Sequence, residues 1–194
     1  MTLSDIVEAA TKLIQSARFE EAEVLLKETP GIEKDAAAQQ LMGIIAFQTN
    51  RAAEAVIYFE TAAHELTEDG YLQNNLGQAY KLLGNLDRAK KAFEKAALLQ
   101  AEFADPLNYL GMLLRQEGSL EQAEMAFATA ISRRPGYAEA LFNMGALMQD
   151  QNRFEDARAH YQLALRAKPS YVQAINNLGT VLDDLGDHGA AERT

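Results

Sequence analysis

The 194-residue chain is 48% apolar and 24% charged, within the ordinary range of a globular protein, and no stretch approaches the apolar length needed to span a bilayer. It contains no cysteine, which removes disulfides, thiolate metal sites and thiol chemistry together. A net charge of −10 disfavours nucleic acid and anionic membrane, so the expected partner is a neutral to basic protein or peptide, with no membrane insertion. The opening MTLSDIVEAATKLIQ carries acids before any base and no continuous apolar segment, which speaks against a secretory signal. A cytoplasmic location is the resulting expectation.

Residues 3–35 read as a degenerate pair of helices. RFEEAEVLL, Arg18 to Leu26, echoes RFEDARAHY, Arg153 to Tyr161, but Pro30 and Gly31 cut the second helix short. The expected role is that of an N-terminal cap.

From there the chain repeats itself every 34 residues. Gly43, Gly77, Gly111, Gly145 and Gly179 each follow a Leu or Met: Met42, Leu76, Leu110, Met144 and Leu178. Twelve residues beyond each glycine stands Ala55, Ala89, Ala123, Ala157 or Ala191. Four further on come Phe59, Phe93, Phe127 and Tyr161, followed by Ala62, Ala96, Ala130 and Ala164. Inside a repeat the apolar positions recur at three and four residues, which predicts two amphipathic helices. Asn50, Gly84, Gly118, Asn152 and Gly186 mark the end of each first helix, because these residue types adopt the left-handed conformation that stops a helix at least cost. The small residues predict a close approach of the two backbones, with the aromatic ring filling the space beside them. The predicted repeats are 36–69, 70–103, 104–137 and 138–171, followed by an incomplete one at 172–194.

This pattern resembles the tetratricopeptide repeat over nearly the whole chain. Leu76-Gly77 followed by Tyr80, then the Ala, Phe and Ala marks, and Pro135 and Pro169 in the terminal proline site, carry the likeness. The early tryptophan of the family is replaced by Gln39, Gln73, Leu107, Leu141 and Ile175, and its proline by Thr67 and Ala101 in two repeats. The resemblance implies an all-α fold. It would be a right-handed superhelical solenoid of antiparallel helix pairs, with about five and a half repeats in a single domain and the first helices lining a concave face.

No catalytic constellation is present, so an enzyme is not expected, and no cofactor or metal site is predicted. His64, His160 and His188 are far apart in register and lack a metal-binding spacing. Asp183, Asp184, Asp187 and Glu192 lack the alternating oxygens of a calcium loop and read as a solvated acidic end. Arg88, Lys90, Lys91 and Lys95 read as the wet face of a helix, paired with Asp87 and Glu94. Residues 70–103 are net basic, and the acidity lies towards the two ends.

In the family the groove is lined by the second, fifth, sixth, ninth, twelfth and thirteenth residues of each repeat. Carried onto this chain, the peptide-binding candidates are Asn74, Asn75, Gln78, Asn108, Tyr109, Met112, Phe142, Asn143, Asn176 and Asn177. Gln40, Arg115, Gln149 and Asp183 fall on the same lining. Asn75, Asn143 and Asn177 share the sixth position, and a carboxamide both donates and accepts, so a row of them can pair with the backbone of an extended peptide. That row is similar to the asparagine ladder in the repeat domain of O-linked N-acetylglucosamine transferases. Equally open is a structural role in which these asparagines bond to neighbouring helices. The basic clamp of chaperone-tail binders is absent, since Tyr71, Asn74, Asn75, Asp105, Asn108, Tyr109, Glu139, Phe142 and Asn143 occupy its positions.

The last repeat supplies Ile175, Leu178, Val181, Leu182 and Leu185 and then only GDHGAAERT. A solenoid normally closes with a polar helix. The expectations are therefore a longer chain of which this is the N-terminal part, or an end covered by self-association. The leading reading is a peptide-binding scaffold; the alternatives are the substrate-recruiting arm of a bacterial glycosyltransferase or sulfotransferase, and a self-assembling scaffold.

Overall fold

Helix α1 (Leu3–Gln15) opens on a reciprocal cap. The Asp5 N–H donates to Thr2 Oγ1 at 3.2 Å and the Thr2 N–H donates to Asp5 Oδ2 at 2.7 Å, which satisfies two donors that a helix start leaves open. The chain turns at Ala17 into α2 (Phe19–Lys27). Pro30 and Gly31 follow, the glycine at φ +82°, so the second helix is short as their presence predicts. A single 3-10 turn, Ile32–Lys34, leads on, and buried Ile32 anchors it to a cluster with Ile6, Ala10, Ala22 and Leu26.

Helices α3 (Ala36–Gln48), α4 (Ala52–Ala63), α5 (Gly70–Leu82) and α6 (Leu86–Leu99) complete a unit that ends at Gln100. A second unit, beginning at Ala101, holds α7 (Asp105–Gln116), α8 (Leu120–Arg133), α9 (Ala138–Asp150), α10 (Phe154–Ala167) and α11 (Val172–Asp184). The computed structural model describes residues 2–186, and no strand occurs among them. Within each unit, consecutive helices joined by short turns pack as hairpins, α1 on α2, α3 on α4, α5 on α6, α7 on α8 and α9 on α10. The expected all-α class of antiparallel helix pairs is the one observed.

Each first helix ends at its predicted residue. Asn50, Gly84, Gly118, Asn152 and Gly186 all have positive φ, from +57° to +80°. Ala17 takes the same conformation at φ +55°, where neither glycine nor asparagine marks the turn. An L-alanine there carries a steric cost of about 1–2 kcal/mol.

The repeated small and aromatic positions form the inside of both units. Phe59, Phe93, Phe127 and Tyr161 are fully buried, as are Ala55, Ala89, Ala123 and Ala157 and the second alanine set from Ala62 to Ala164. A Cβ placed on Gly43, Gly77, Gly111 or Gly145 would lie 2.4, 2.6, 2.6 or 2.8 Å from the ring on the facing helix. Each glycine thus creates the space that one ring fills, and each ring so buried contributes about 1.5–3 kcal/mol. Among the described residues, a Cβ on Gly179 would meet nothing within 4 Å. Its sequence partner, Ala191, lies outside the described residues.

Ion pairs tie successive second helices together. Arg51 makes a two-pronged contact with Glu23 at 3.0 and 2.6 Å, and Lys27 shares that carboxylate at 2.6 Å. These donors, Arg51 first, hold the Glu23 carboxyl down to about 2. Arg88 reaches Glu60 at 3.1 Å and Arg153 reaches Glu124 at 3.0 Å. Of the pairings expected within residues 87–95, Lys90 with Asp87 is present at 4.0 Å. Arg88, by contrast, turns to Glu60 on α4 and lies over the Tyr80 ring at 5.4 Å, because that site offers a carboxylate and an aromatic face together.

Candidate functional site

The first helices lie side by side, α1, α3 and α5 in one unit and α7, α9 and α11 in the other, so each unit presents a face made of first helices. In the earlier unit, Asn75 and Gln78 are half-buried on α5 and Tyr71 is exposed. Gln40 on α3 donates to Asp69 Oδ2 at 2.9 Å, while Asp69 also caps α5 by accepting from the Leu72 N–H at 3.0 Å. In the later unit, Met112 and Asn176 are exposed, and Tyr109, Phe142, Asn143 and Asn177 are half-buried. A hollow of about 320 Å³ opens among Met112, Arg115, Gln116, Asn143 and Asp150, and Arg115 bridges it to Asp150 at 2.6 Å.

Two candidates lie deeper than the rest. Asn74 and Asn108 are only 6% and 3% exposed, so these fifth-position residues belong to the packed interior instead of an open surface. The reason is local. The Asn108 side chain lies in a chain of hydrogen bonds that a ligand would have to break: Asn143 Nδ2 donates to Asn108 Oδ1 at 2.8 Å, and Asn108 Nδ2 donates to the Tyr137 hydroxyl at 3.4 Å. Tyr137 in turn donates to Asp105 Oδ1 at 2.8 Å. Burial, and then the bond to Asp105, push the Tyr137 phenol well above its ordinary value, so it stays a neutral donor. Arg134 completes the group, pairing with Asp105 at 2.9 Å and lying 3.5 Å above the Tyr137 ring. Asn74 Oδ1 is buried with no hydrogen-bond partner among the described residues.

A second chain of bonds runs through Tyr161. Its ring fills the space beside Gly145, and its hydroxyl continues to the first-helix face, donating to Gln149 Oε1 at 2.8 Å and accepting from Asn177 Nδ2 at 3.0 Å. Phe142 stacks against Tyr161 and Tyr171 with ring centroids 5.7 and 5.1 Å away. Sequence reasoning assigned Tyr161 to filling alone. The available signal was its hydroxyl, since the other repeats place phenylalanine there and a buried phenol requires a partner. Tyr137 and Asp105 were likewise missed as a pair, because they are distant in sequence.

A second hollow in this unit, about 590 Å³, lies among Asp105, Tyr109, Arg134, Tyr137, Glu139 and Lys168. Its charges are internally matched, Arg134 to Asp105 at 2.9 Å and Lys168 to Glu139 at 3.2 Å. Burial raises the Tyr109 phenol there.

No group of three or more His, Cys, Asp or Glu residues able to hold a metal occurs among the described residues. His64 is exposed at the end of α4. His160 is half-buried, and that burial lowers its affinity for a proton. Asp183 and Asp184 are exposed, whereas Asp187, His188 and Glu192 lie outside the described residues. Among the described residues no helix is long and apolar enough to cross a membrane.

Residues 71–103 and 102–170 each match a family model described as a tetratricopeptide repeat. No curated protein matches the chain. Among solved structures, PilF of Pseudomonas aeruginosa aligns with a TM-score of 0.87 at 16% identity, covering 98% of this chain and 87% of that one. YrrB, described as a TPR protein with an unusual peptide-binding site, aligns with a TM-score of 0.74 at 24% identity, covering 89% of each chain. MamA of Desulfovibrio magneticus aligns with a TM-score of 0.72 at 20% identity, covering 81% of this chain and 89% of that one. At these identities the likeness is one of fold, and the matched repeats are those of an interaction scaffold, with no catalytic family indicated. The glycine–aromatic contact, the left-handed turns, the repeat period and these matches agree: the chain belongs to the tetratricopeptide repeat family.

Proposed function

We propose that the first-helix face of each unit is a concave groove that binds an extended, neutral to basic protein segment and that the protein works as a non-catalytic scaffold. The observation that carries this reading is the hollow on α7 and α9, where Met112, Arg115, Gln116, Asn143 and Asp150 combine an exposed thioether, a half-buried carboxamide and an ion pair. An extended peptide needs such a mixture: apolar surface for alternate side chains and amide groups for its backbone. Asn176 and Asn177 on α11, and Asn75 and Gln78 on α5, offer the same chemistry on their own units. The net charge of −10 favours basic over acidic segments.

The test is panning of a displayed random peptide library on the native chain and on a variant carrying Asn75→Ala, Asn143→Ala and Asn177→Ala together. Peptides enriched on the native chain and lost on the variant, at equal helicity by circular dichroism, support the groove. Equal enrichment on both moves the binding surface to the second helices and returns the asparagines to a structural role.

A further inference from the structure

The amides of a repeat groove are usually treated as able to face either way, since a carboxamide presents an oxygen at one end and an N–H at the other. In the unit beginning at Ala101 one of them has no such freedom. Asp105 is a carboxylate, paired with Arg134 at 2.9 Å, and a carboxylate only accepts hydrogen bonds. The Tyr137 hydroxyl, 2.8 Å away, must therefore spend its single proton on Asp105. Its oxygen is left as an acceptor, and the group facing it at 3.4 Å has to be a donor, which sets Asn108 with Nδ2 towards Tyr137. The reverse orientation would place two lone-pair oxygens against each other in a site where Asn108 is only 3% exposed. Asn108 Oδ1 then faces away from Tyr137 and takes the Nδ2 proton of Asn143 at 2.8 Å.

The geometry points to a hydrogen-bond relay, Asn143 to Asn108 to Tyr137 to Asp105, that commits one Nδ2 proton of Asn143 to the interior and leaves its Oδ1 as an unshared acceptor on a residue lining the hollow on α7 and α9, so that an occupant bringing an N–H donor, as the backbone of an extended peptide does, fits it best. This inference rests on the groove reading and adds to it the polarity of recognition. Asp105, Tyr137 and Asn108 are positioning residues, acting through Asn143 without touching the occupant. The second chain of bonds, through Tyr161, has no such anchor, because Gln149 and Asn177 are both amides and can exchange roles around one hydroxyl.

The experiment is nuclear magnetic resonance of the Asn side-chain amide signals in the full chain labelled with nitrogen-15. The two probes are N-methylacetamide, which carries one N–H, and N,N-dimethylacetamide, which carries none. Expected is a shift of the Asn143 side-chain signals with the first probe that the second, at equal concentration, does not reproduce. Tyr137→Phe, which removes the hydroxyl while keeping the ring under Arg134, should move the Asn108 and Asn143 side-chain signals and abolish the discrimination between probes. Asp105→Ala, which removes the acceptor of the Tyr137 proton, should do the same, and it guards against a Tyr137→Phe variant that folds poorly. Equal response to both probes, or Asn143 signals indifferent to both substitutions, overturns the relay and leaves the groove standing. Silence of Asn143 towards both probes, in a chain whose amide signals do respond to Tyr137→Phe, overturns the preference for a donor together with the groove reading on this unit.

Discussion

The two units close their helix pairs in the same way and tie successive pairs together differently. Gly43 with Phe59 and Gly77 with Phe93 in one unit, and Gly111 with Phe127 and Gly145 with Tyr161 in the other, use one contact four times. Between pairs, the earlier unit relies on charge, with Glu23 taking Arg51 and Lys27 and Glu60 taking Arg88. The later unit has such pairs too, but adds a neutral chain of amide and phenol through Tyr161, and through Tyr137 a chain of amides and phenol that ends on the Asp105 carboxylate. Charged ties weaken with salt and titrate, whereas neutral ones do neither. A hydrogen-bond chain anchored on a carboxylate, as the one through Tyr137 is on Asp105, is also directional, so it can orient a side chain on the first-helix face in a way that an exposed ion pair cannot.

The shared contact predicts equal damage in both units. Phe59→Ala and Phe127→Ala should each destabilise by about 3–5 kcal/mol in chemical denaturation, since each empties a fully buried ring site. A clearly smaller loss in either would show that the two contacts are not equivalent. Next in size are the glycines. Gly43→Ala puts a methyl 2.4 Å from the Phe59 ring and should cost about 1–3 kcal/mol. Gly179→Ala meets nothing within 4 Å among the described residues and should be neutral or stabilising by up to about 1 kcal/mol, because alanine is the better helix former. Reversal of that order would refute close packing as the reason for the glycine.

The contrast in ties predicts a different response to solution conditions. Glu23→Gln and Tyr161→Phe should each cost about 1 kcal/mol in low salt, and only the first cost should shrink in molar salt. The folded Glu23 carboxyl is held down to about 2 from 4.5. A depressed acid contributes stability above its unfolded value, so that part is present at neutral pH and is lost as pH falls from about 4.5 towards 2. Melting of the native chain and of Glu23→Gln across that window should converge at the acid end. The smallest effect is at the first turn. Ala17→Gly should stabilise by about 0.5 kcal/mol, the relief at φ +55° being partly offset by the entropy of the unfolded glycine.

Much of the fold was legible in the chain because it rests on contacts that recur at a fixed spacing. A glycine that must admit a ring, an alanine that must not obstruct it and a residue that must turn left-handed each leave a mark every 34 residues. The face was less legible. Asn108 and Asn143 look alike as groove amides, yet one is buried and committed and the other half-buried, and only the position of Tyr137 separates them. Arg88 looks like a partner for its neighbours along α6 and instead reaches Glu60. Ala17 gave no sign of its left-handed turn, because alanine has no preference for it.

By itself, then, the sequence determined the class of fold, the close packing inside each helix pair and the residue types available for binding, since these follow from local conformation and from volume at repeated positions. The tertiary structure decided which amides are exposed, which way Asn143 faces and which carboxylate each arginine meets. Hydrogen-bond direction is set by the last acceptor in a chain of partners, and the partner Asp105 stands 32 residues from Tyr137, where no pattern along the sequence announces it.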